Sequence, residues 1–128
     1  MSIRCIVVTP EKTELDRQAD AVSLPMFDGE LGVLKGRAPM IGRLGYGVLK
    51  LQTAAGPERY YVDGGFAQVE NDEVNLLTGT LTPVDLIDSS EAQAELERAM
   101  EMSGSTPAEM QIKETAVAKA RGRVRASR

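Results

Sequence analysis

The chain has 128 residues, 42% of them hydrophobic and only 4% aromatic, with a formal net charge of −4 and no histidine. That length fits one domain, or a small domain with an appendage. Lack of histidine removes the usual general base near neutral pH and the commonest metal ligand, and the acidic balance argues against a nucleic-acid partner.

In chain order, Ile3–Val8 is apolar on both faces, as a sandwich strand would be. It contains the single cysteine, Cys5, which is expected to be a buried, inert thiol. The start of the chain lacks the charged beginning and long apolar stretch of a secretory leader. No apolar run approaches the ~20 residues needed to cross a bilayer. A soluble protein in a reducing compartment is therefore expected. A short strand over 21–24 is expected to stop at Pro25. Residues 27–39 then pack three glycines, a proline and four charges around a short apolar run. A core strand would not tolerate that mix, so an exposed, shaped loop joined to strands is expected. In 48–52, Leu49 and Leu51 share a face; in 59–63, Tyr60 and Val62 do. Ala55, Gly56 and Pro57 signal a turn. Two runs, 66–70 and Glu73–Leu77, flank Asn71 and Asp72, residues that tolerate the positive φ of a two-residue hairpin turn. Strands at this spacing predict an antiparallel β-sandwich or flattened barrel.

After Pro83 the pattern changes to a helical one. Asp88 stands three residues before Glu91, the spacing of a capping box. Ala92, Leu96, Ala99 and Met100 then fall on one helical face. The run ends at Ser103, Gly104 and Ser105. Thr106 as cap, Pro107 at the first helical position and Glu109 at the third restart it. Ile112, Ala116, Ala120 and Val124, with Val117 beside them, form a thin apolar stripe on the second helix. Gly122 costs a further ~1 kcal/mol in a helix interior. Two antiparallel helices that dock weakly are the expectation, with an ordinary static hairpin as the alternative. Charge also divides here. Residues 85–102 carry Arg98 against six acidic groups, whereas 107–128 carry Lys113, Lys119, Arg121, Arg123, Arg125 and Arg128 against Glu109 and Glu114.

Three blocks carry a family resemblance: Gly29-Glu30-Leu31-Gly32-Val33-Leu34 followed by Arg37-Ala38-Pro39, then Leu44-Gly45-Tyr46-Gly47-Val48-Leu49, then Gly64-Gly65-Phe66. In order and spacing they resemble the epsilon subunit of rotary F-type ATP synthases. The resemblance implies an α+β architecture, with a β-sandwich over 1–84 that binds the rotor and a helical hairpin over 85–128 that regulates it. It implies a non-catalytic central-stalk subunit with no cofactor or metal site. Such a subunit binds the gamma shaft and the membrane c-ring and couples proton flow to ATP synthesis. Asp28, Gly29, Glu30, Leu31 and Gly32 would touch the c-ring. Arg37, Ala38, Pro39 and Met40 would lie near gamma, and Gly64 and Gly65 would be structural. The basic second helix would extend into the alpha/beta catalytic head and restrain ATP hydrolysis. Relieving repulsion among its cations calls for an acidic neighbour: either the first helix or an acidic segment of the head. Attachment would be peripheral, through the rotor, at the cytoplasmic face of a bacterial inner or plasma membrane, with a thylakoid or plastid setting as the alternative. No homo-oligomer is implied.

Two departures from the family pattern stand out. Lys35 and Arg37 replace the usual Pro and His, which frees φ in the loop. Where some members bind ATP through Ile/Leu-Asp-x-x-Arg-Ala, this chain has Ile87-Asp88-Ser89-Ser90-Glu91-Ala92. Glu91 would meet a phosphate with like charge, so weak or absent ATP binding is expected. Three rival readings compete. An independent enzyme lacks any phosphate-loop pattern or nucleophile–base set. A nucleic-acid adaptor lacks aromatics among its basic residues. A freestanding sandwich scaffold is separated from a rotor subunit only by isolating the native complex.

Overall fold

The structure, a computed structural model, describes residues 2–127; Arg128 lies outside the described residues. Eight strands come first: β1 (Ile3–Val8), β2 (Thr13–Ala19), β3 (Ala21–Met26), β4 (Gly29–Val33), β5 (Met40–Thr53), β6 (Gly56–Glu70), β7 (Glu73–Leu77) and β8 (Leu81–Pro83). A 3-10 turn over Val84–Leu86 leads into α1 (Ser89–Met100) and α2 (Pro107–Ala126). The strands run in the order β2-β1-β7-β6-β5-β3-β4, with β8 on β6. This sheet folds over so that β1 and β2 lie against β3 and β5. A β-sandwich followed by a two-helix hairpin is the expected architecture. One pairing is not antiparallel, because β1 and β7 run parallel. Parallel neighbours need a long connection, and here five strands intervene.

The sandwich interior is aliphatic. Ile3, Cys5 and Val7 of β1 point inward with Leu24, Leu49, Leu51, Val62, Val69 and Val74. Burial pushes the Cys5 thiol up to about 12, so it stays protonated and unreactive. Strands β5 and β6 span the whole sandwich and exchange their inward faces part-way along. Leu44 points inward on β5, but so do Leu49 and Leu51, which have the opposite parity. On β6, Val62 is inward and then Ala67 and Val69 are. The exchange falls where Leu44 pairs with Gly65 and Tyr46 with Asp63. Gly64 and Gly65 have φ of +88° and +110°, and a Cβ on Gly65 would overlap the Leu77 carbonyl. The glycine pair is therefore structural, as the sequence suggests: it turns the sheet corner with a backbone that only glycine tolerates there.

The other hairpin reading also holds. Asn71 and Asp72 sit at φ of 52° and 60°, the geometry of a tight turn matched to strand twist. Two strand expectations need correction, and one strand is unforeseen. Pro25 does not end β3, because that strand continues to Met26. The β3–β5 register is irregular between Ser23 and Met26, and a bulge is where a strand accommodates a missing N–H. Residues 27–39 are not all loop: β4 pairs along β3, from Met26 with Gly29 to Val22 with Val33. It lies at the sheet margin, where its glycines and Glu30 need no buried environment. Strand β2 has no counterpart in the sequence reading. It is the opposite margin, and only Leu15 and Ala19 are buried along it.

Both helix starts follow the sequence signals. The Asp88 side chain accepts from the N–H groups of Ser90 and Glu91, and Thr106 accepts from that of Glu109. The Glu109 carboxylate also accepts from the Ser105 hydroxyl at 3.0 Å and the Ser105 N–H at 3.3 Å. These bonds hold its pKa below the ordinary glutamate range. The predicted apolar faces are only partly right. Ala92 and Ala99 are buried, but Met100 is 51% exposed and Ile112 is 59% exposed. On α2 the buried residues are Ala120, Gly122, Val124 and Ala126, so burial is confined to its second half.

Candidate functional site

The turn at Phe27 and Asp28, strand β4 and the start of β5 border an open groove of about 630 Å³. Asp28, Gly29, Glu30 and Leu31, expected at the c-ring, line it together with Arg37 and Met40, expected near gamma. Members of both expected contact sets therefore share one depression. Gly32, Ala38 and Pro39 are exposed but lie outside that lining. Glu30 does not pair with Lys35 or Arg37. Its carboxylate accepts from the Ser23 hydroxyl and lies 3.6 Å from the Lys50 ammonium. The Ser23 bond first, then the lysine charge, hold its pKa below the ordinary range. At the groove rim the Arg43 guanidinium sits 4.4 Å above the Phe27 ring, an arrangement that holds an exposed aromatic side chain in place. Phe27 is 63% exposed.

Beside this groove lies an apolar surface that sequence reasoning missed. Phe66 on β6 pairs with Leu77 on β7, Val8 on β1 flanks Leu77, and Ile41 on β5 joins them. They border a shallow depression of about 360 Å³. Ile41 is 75% exposed, Phe66 56% and Leu77 54%. Isolated exposed apolar residues are ordinary, but a contiguous group marks a contact surface. No sequence window contains it, because four strands from distant parts of the chain supply it.

The hairpin docks on the outer face of the other half of β5 and β6, beyond the sheet corner. Val48 and Tyr61 are cross-strand partners, and they pack with Ile87, Ala92, Leu96, Val124 and Ala126. The Tyr61 hydroxyl donates to the Lys119 carbonyl at 2.9 Å. Burial pushes its pKa well above the ordinary tyrosine value, so it remains a donor. At Gly122 α2 packs tightly on the sheet: a Cβ there would stand 2.5 Å from the Tyr46 carbonyl oxygen. The glycine that weakens the helix is thus the residue that lets it dock. The adjacent tyrosines Tyr60 and Tyr61 carry the one sequence signal for this surface, since neighbouring residues on a strand face opposite sides.

The basic residues of α2 do not form one patch. Lys113 and Arg121 line a depression of about 470 Å³ with Gly104, Met110 and Val117. Lys119 lies 5.9 Å from the centre of the Tyr46 ring. Arg123 stands 3.8 Å from Glu95 of α1, the one ion pair between the helices among the described residues. Arg125 borders a groove with Glu30, Lys50 and Arg59. The segment 87–92 is used structurally: Asp88 caps α1, and Ile87 and Ala92 are buried. Among the described residues no group of three His, Cys, Asp or Glu side chains is placed to hold a metal ion. Nor is any helix among them long and apolar enough to cross a membrane.

Residues 2–84 match the family model for the beta-sandwich domain of the ATP synthase delta/epsilon chain. The chain is 70% identical to the ATP synthase epsilon chain of Rhodopirellula baltica over 128 residues, which is all of both chains. It is 37% identical over 95 residues to the sodium ion specific epsilon chain of Propionigenium modestum, covering 74% of this chain and 69% of that one. Its fold also matches a chain in the cryo-EM structure of the Euglena gracilis mitochondrial ATP synthase OSCP/F1/c-ring assembly. The TM-score there is 0.84 at 26% identity, covering 94% of this chain and 78% of the other. The sandwich with its glycine corner, the hairpin docked behind it and the full-length identity agree, and the chain belongs to the ATP synthase epsilon-chain family.

Proposed function

We propose that this chain is a non-catalytic element of the central stalk that joins the gamma shaft to the c-ring and turns with them. The observation that carries the reading is the pair of neighbouring open surfaces on the sandwich. One is the groove at residues 27–31 with its charged walls, and the other is the apolar surface of Ile41, Phe66 and Leu77. The apolar surface and the loop at Arg37 to Met40 suit the gamma shaft, where burial is lasting. Asp28, Gly29, Glu30, Leu31 and Gly32 at the sheet margin suit the polar loops of the ring. Attachment to the membrane is then indirect, through the rotor, on the face that carries the catalytic head. Residues 1–84 form the rotor-binding unit and 85–128 the regulatory unit. No chemistry is assigned to the chain itself.

The test is reconstitution of the complex with Glu30→Lys. Reversing the charge at the groove is expected to weaken attachment to the membrane sector and uncouple proton flow from ATP synthesis. Normal coupling would remove the ring from this groove. For the hairpin, ATP hydrolysis is compared with and without residues 86–128. Faster hydrolysis on removal supports an inhibitory arm, and unchanged hydrolysis rejects it while leaving the coupling role intact. A second reading, in which the hairpin is a fixed brace, is favoured by the Gly122–Tyr46 approach and the Tyr61–Lys119 hydrogen bond. Under that reading, removal slackens coupling without releasing hydrolysis.

A further inference from the structure

The loop between β4 and β5 is bound into the fold at a single side chain. Inside the loop, the Arg37 N–H donates to the Leu34 carbonyl at 3.2 Å. Gly36 takes the third position of that turn with φ of +87°, the conformation a type II turn requires there. The Gly36 N–H then points away from the loop and donates to Asp72 Oδ1 at 2.7 Å. Outside the strand ladders these are the loop's two hydrogen bonds among the described residues. Asp72 is itself fixed. It occupies the β6–β7 turn at φ of 60°, and its carbonyl accepts from the Arg4 N–H at 3.0 Å. One residue therefore joins three parts of the sandwich: the start of β1, the β6–β7 hairpin and the exposed loop.

We infer that Asp72 is a positioning residue for the partner-binding loop. It sets the direction in which Lys35 and Arg37 are presented, although it lies outside the groove lining. A charge-assisted bond from a carboxylate to a backbone N–H is among the stronger hydrogen bonds. Without it, nothing outside the loop's own turn would hold the Gly36 peptide, and the two cations would be displayed by a mobile loop. Ordering that loop would then oppose binding. This inference rests on the reading of residues 37–40 as a gamma contact.

Two substitutions test it. Asp72→Gly deletes the acceptor but suits the positive φ, so the fold is kept. Asp72→Asn retains an acceptor oxygen and the same turn. In the full chain, amide exchange at Gly36 is expected to quicken about tenfold in D72G and to stay near wild type in D72N. Binding to purified gamma is expected to weaken ~3–10-fold in D72G and recover in D72N, as the cost of ordering the loop returns. Arg37→Ala in the same assay reports on the contact itself. Unchanged Gly36 exchange in D72G overturns the tie. Faster exchange with undiminished gamma binding overturns the positioning role, provided Arg37→Ala lowers affinity. If Arg37→Ala is silent as well, the gamma reading of the loop fails, and the positioning role fails with it.

Discussion

The sandwich closes around a continuous aliphatic interior and is stitched by long strand ladders, whereas the hairpin holds to it mainly through the last two turns of α2, with Ala92 and Leu96 of α1 beside them. In the sandwich, large side chains such as Ile3, Leu24, Leu49 and Leu76 are fully buried. At ~1.5–3 kcal/mol for each large aliphatic side chain, their combined contribution is large. The hairpin buries mainly alanines, a glycine and a valine on α2, and Met110 and Ile112 remain outside. Both regions depend on glycines at points of closest approach. The difference is what a failure costs: at Gly65 the fold itself, at Gly122 only the attachment of a helix.

The sharpest way to break this contrast is Gly65→Ala. Strain at φ +110° and overlap with the Leu77 carbonyl should destabilise the sandwich by about 3 kcal/mol or more, read by denaturant unfolding. Wild-type stability would mean that the sheet corner is not glycine-dependent. Gly122→Ala comes next. It improves helix propensity by about 1 kcal/mol, yet inserts a methyl against the Tyr46 carbonyl at a net cost of about 1–3 kcal/mol of docking. Amide exchange should rise through residues 107–126 while the sandwich stays protected. A more protected α2 would show that propensity outweighs packing.

Tyr61→Phe sharpens the comparison without altering shape. Loss of the bond to the Lys119 carbonyl should cost about 1 kcal/mol, seen as a roughly fivefold rise in the undocked population. Unaltered exchange would show that the ring alone holds the helix. The smallest effect should come from acidification. The Glu109 carboxylate has a lowered pKa in the folded chain, so its stabilisation is complete above the ordinary glutamate value. It is lost as pH falls through the lower folded value. Protection of the Ser105 N–H, measured against the intrinsic rate that itself slows in acid, should therefore fall on acidification in the wild type, and Glu109→Gln should remove that response.

The two regions also differ in how well they can be read without coordinates. Helix starts are legible because caps act locally: Asp88, Thr106 and Pro107 stand beside the groups they satisfy. The Asn71–Asp72 turn is legible for the same reason. Strand β2 is not, since a marginal strand reading Thr-Glu-Leu-Asp-Arg-Gln-Ala has too few apolar residues to show a period. Strand β4 is hidden by its glycines, and the continuation of β3 by Pro25. Periodicity places Ile112 and Val124 on one stripe but cannot say which end of a helix meets the sheet. That depends on Tyr46, Val48 and Tyr61, far away in the chain. The groove at 27–31 is visible because its residues are sequence neighbours. The apolar surface of Val8, Ile41, Phe66 and Leu77 exists only after four strands pair.

Tyr61 and Val62 are one peptide bond apart, yet they belong to different interiors, one beneath the helix and one inside the sandwich. A pull on α2 therefore loads a backbone already clamped from behind by the aliphatic core. Such a seam resists peeling at its base while the far end of the hairpin, with Met100 and Met110, remains the end that lifts first. In the proposed central-stalk role, this is the mechanical order of a lever with a fixed fulcrum.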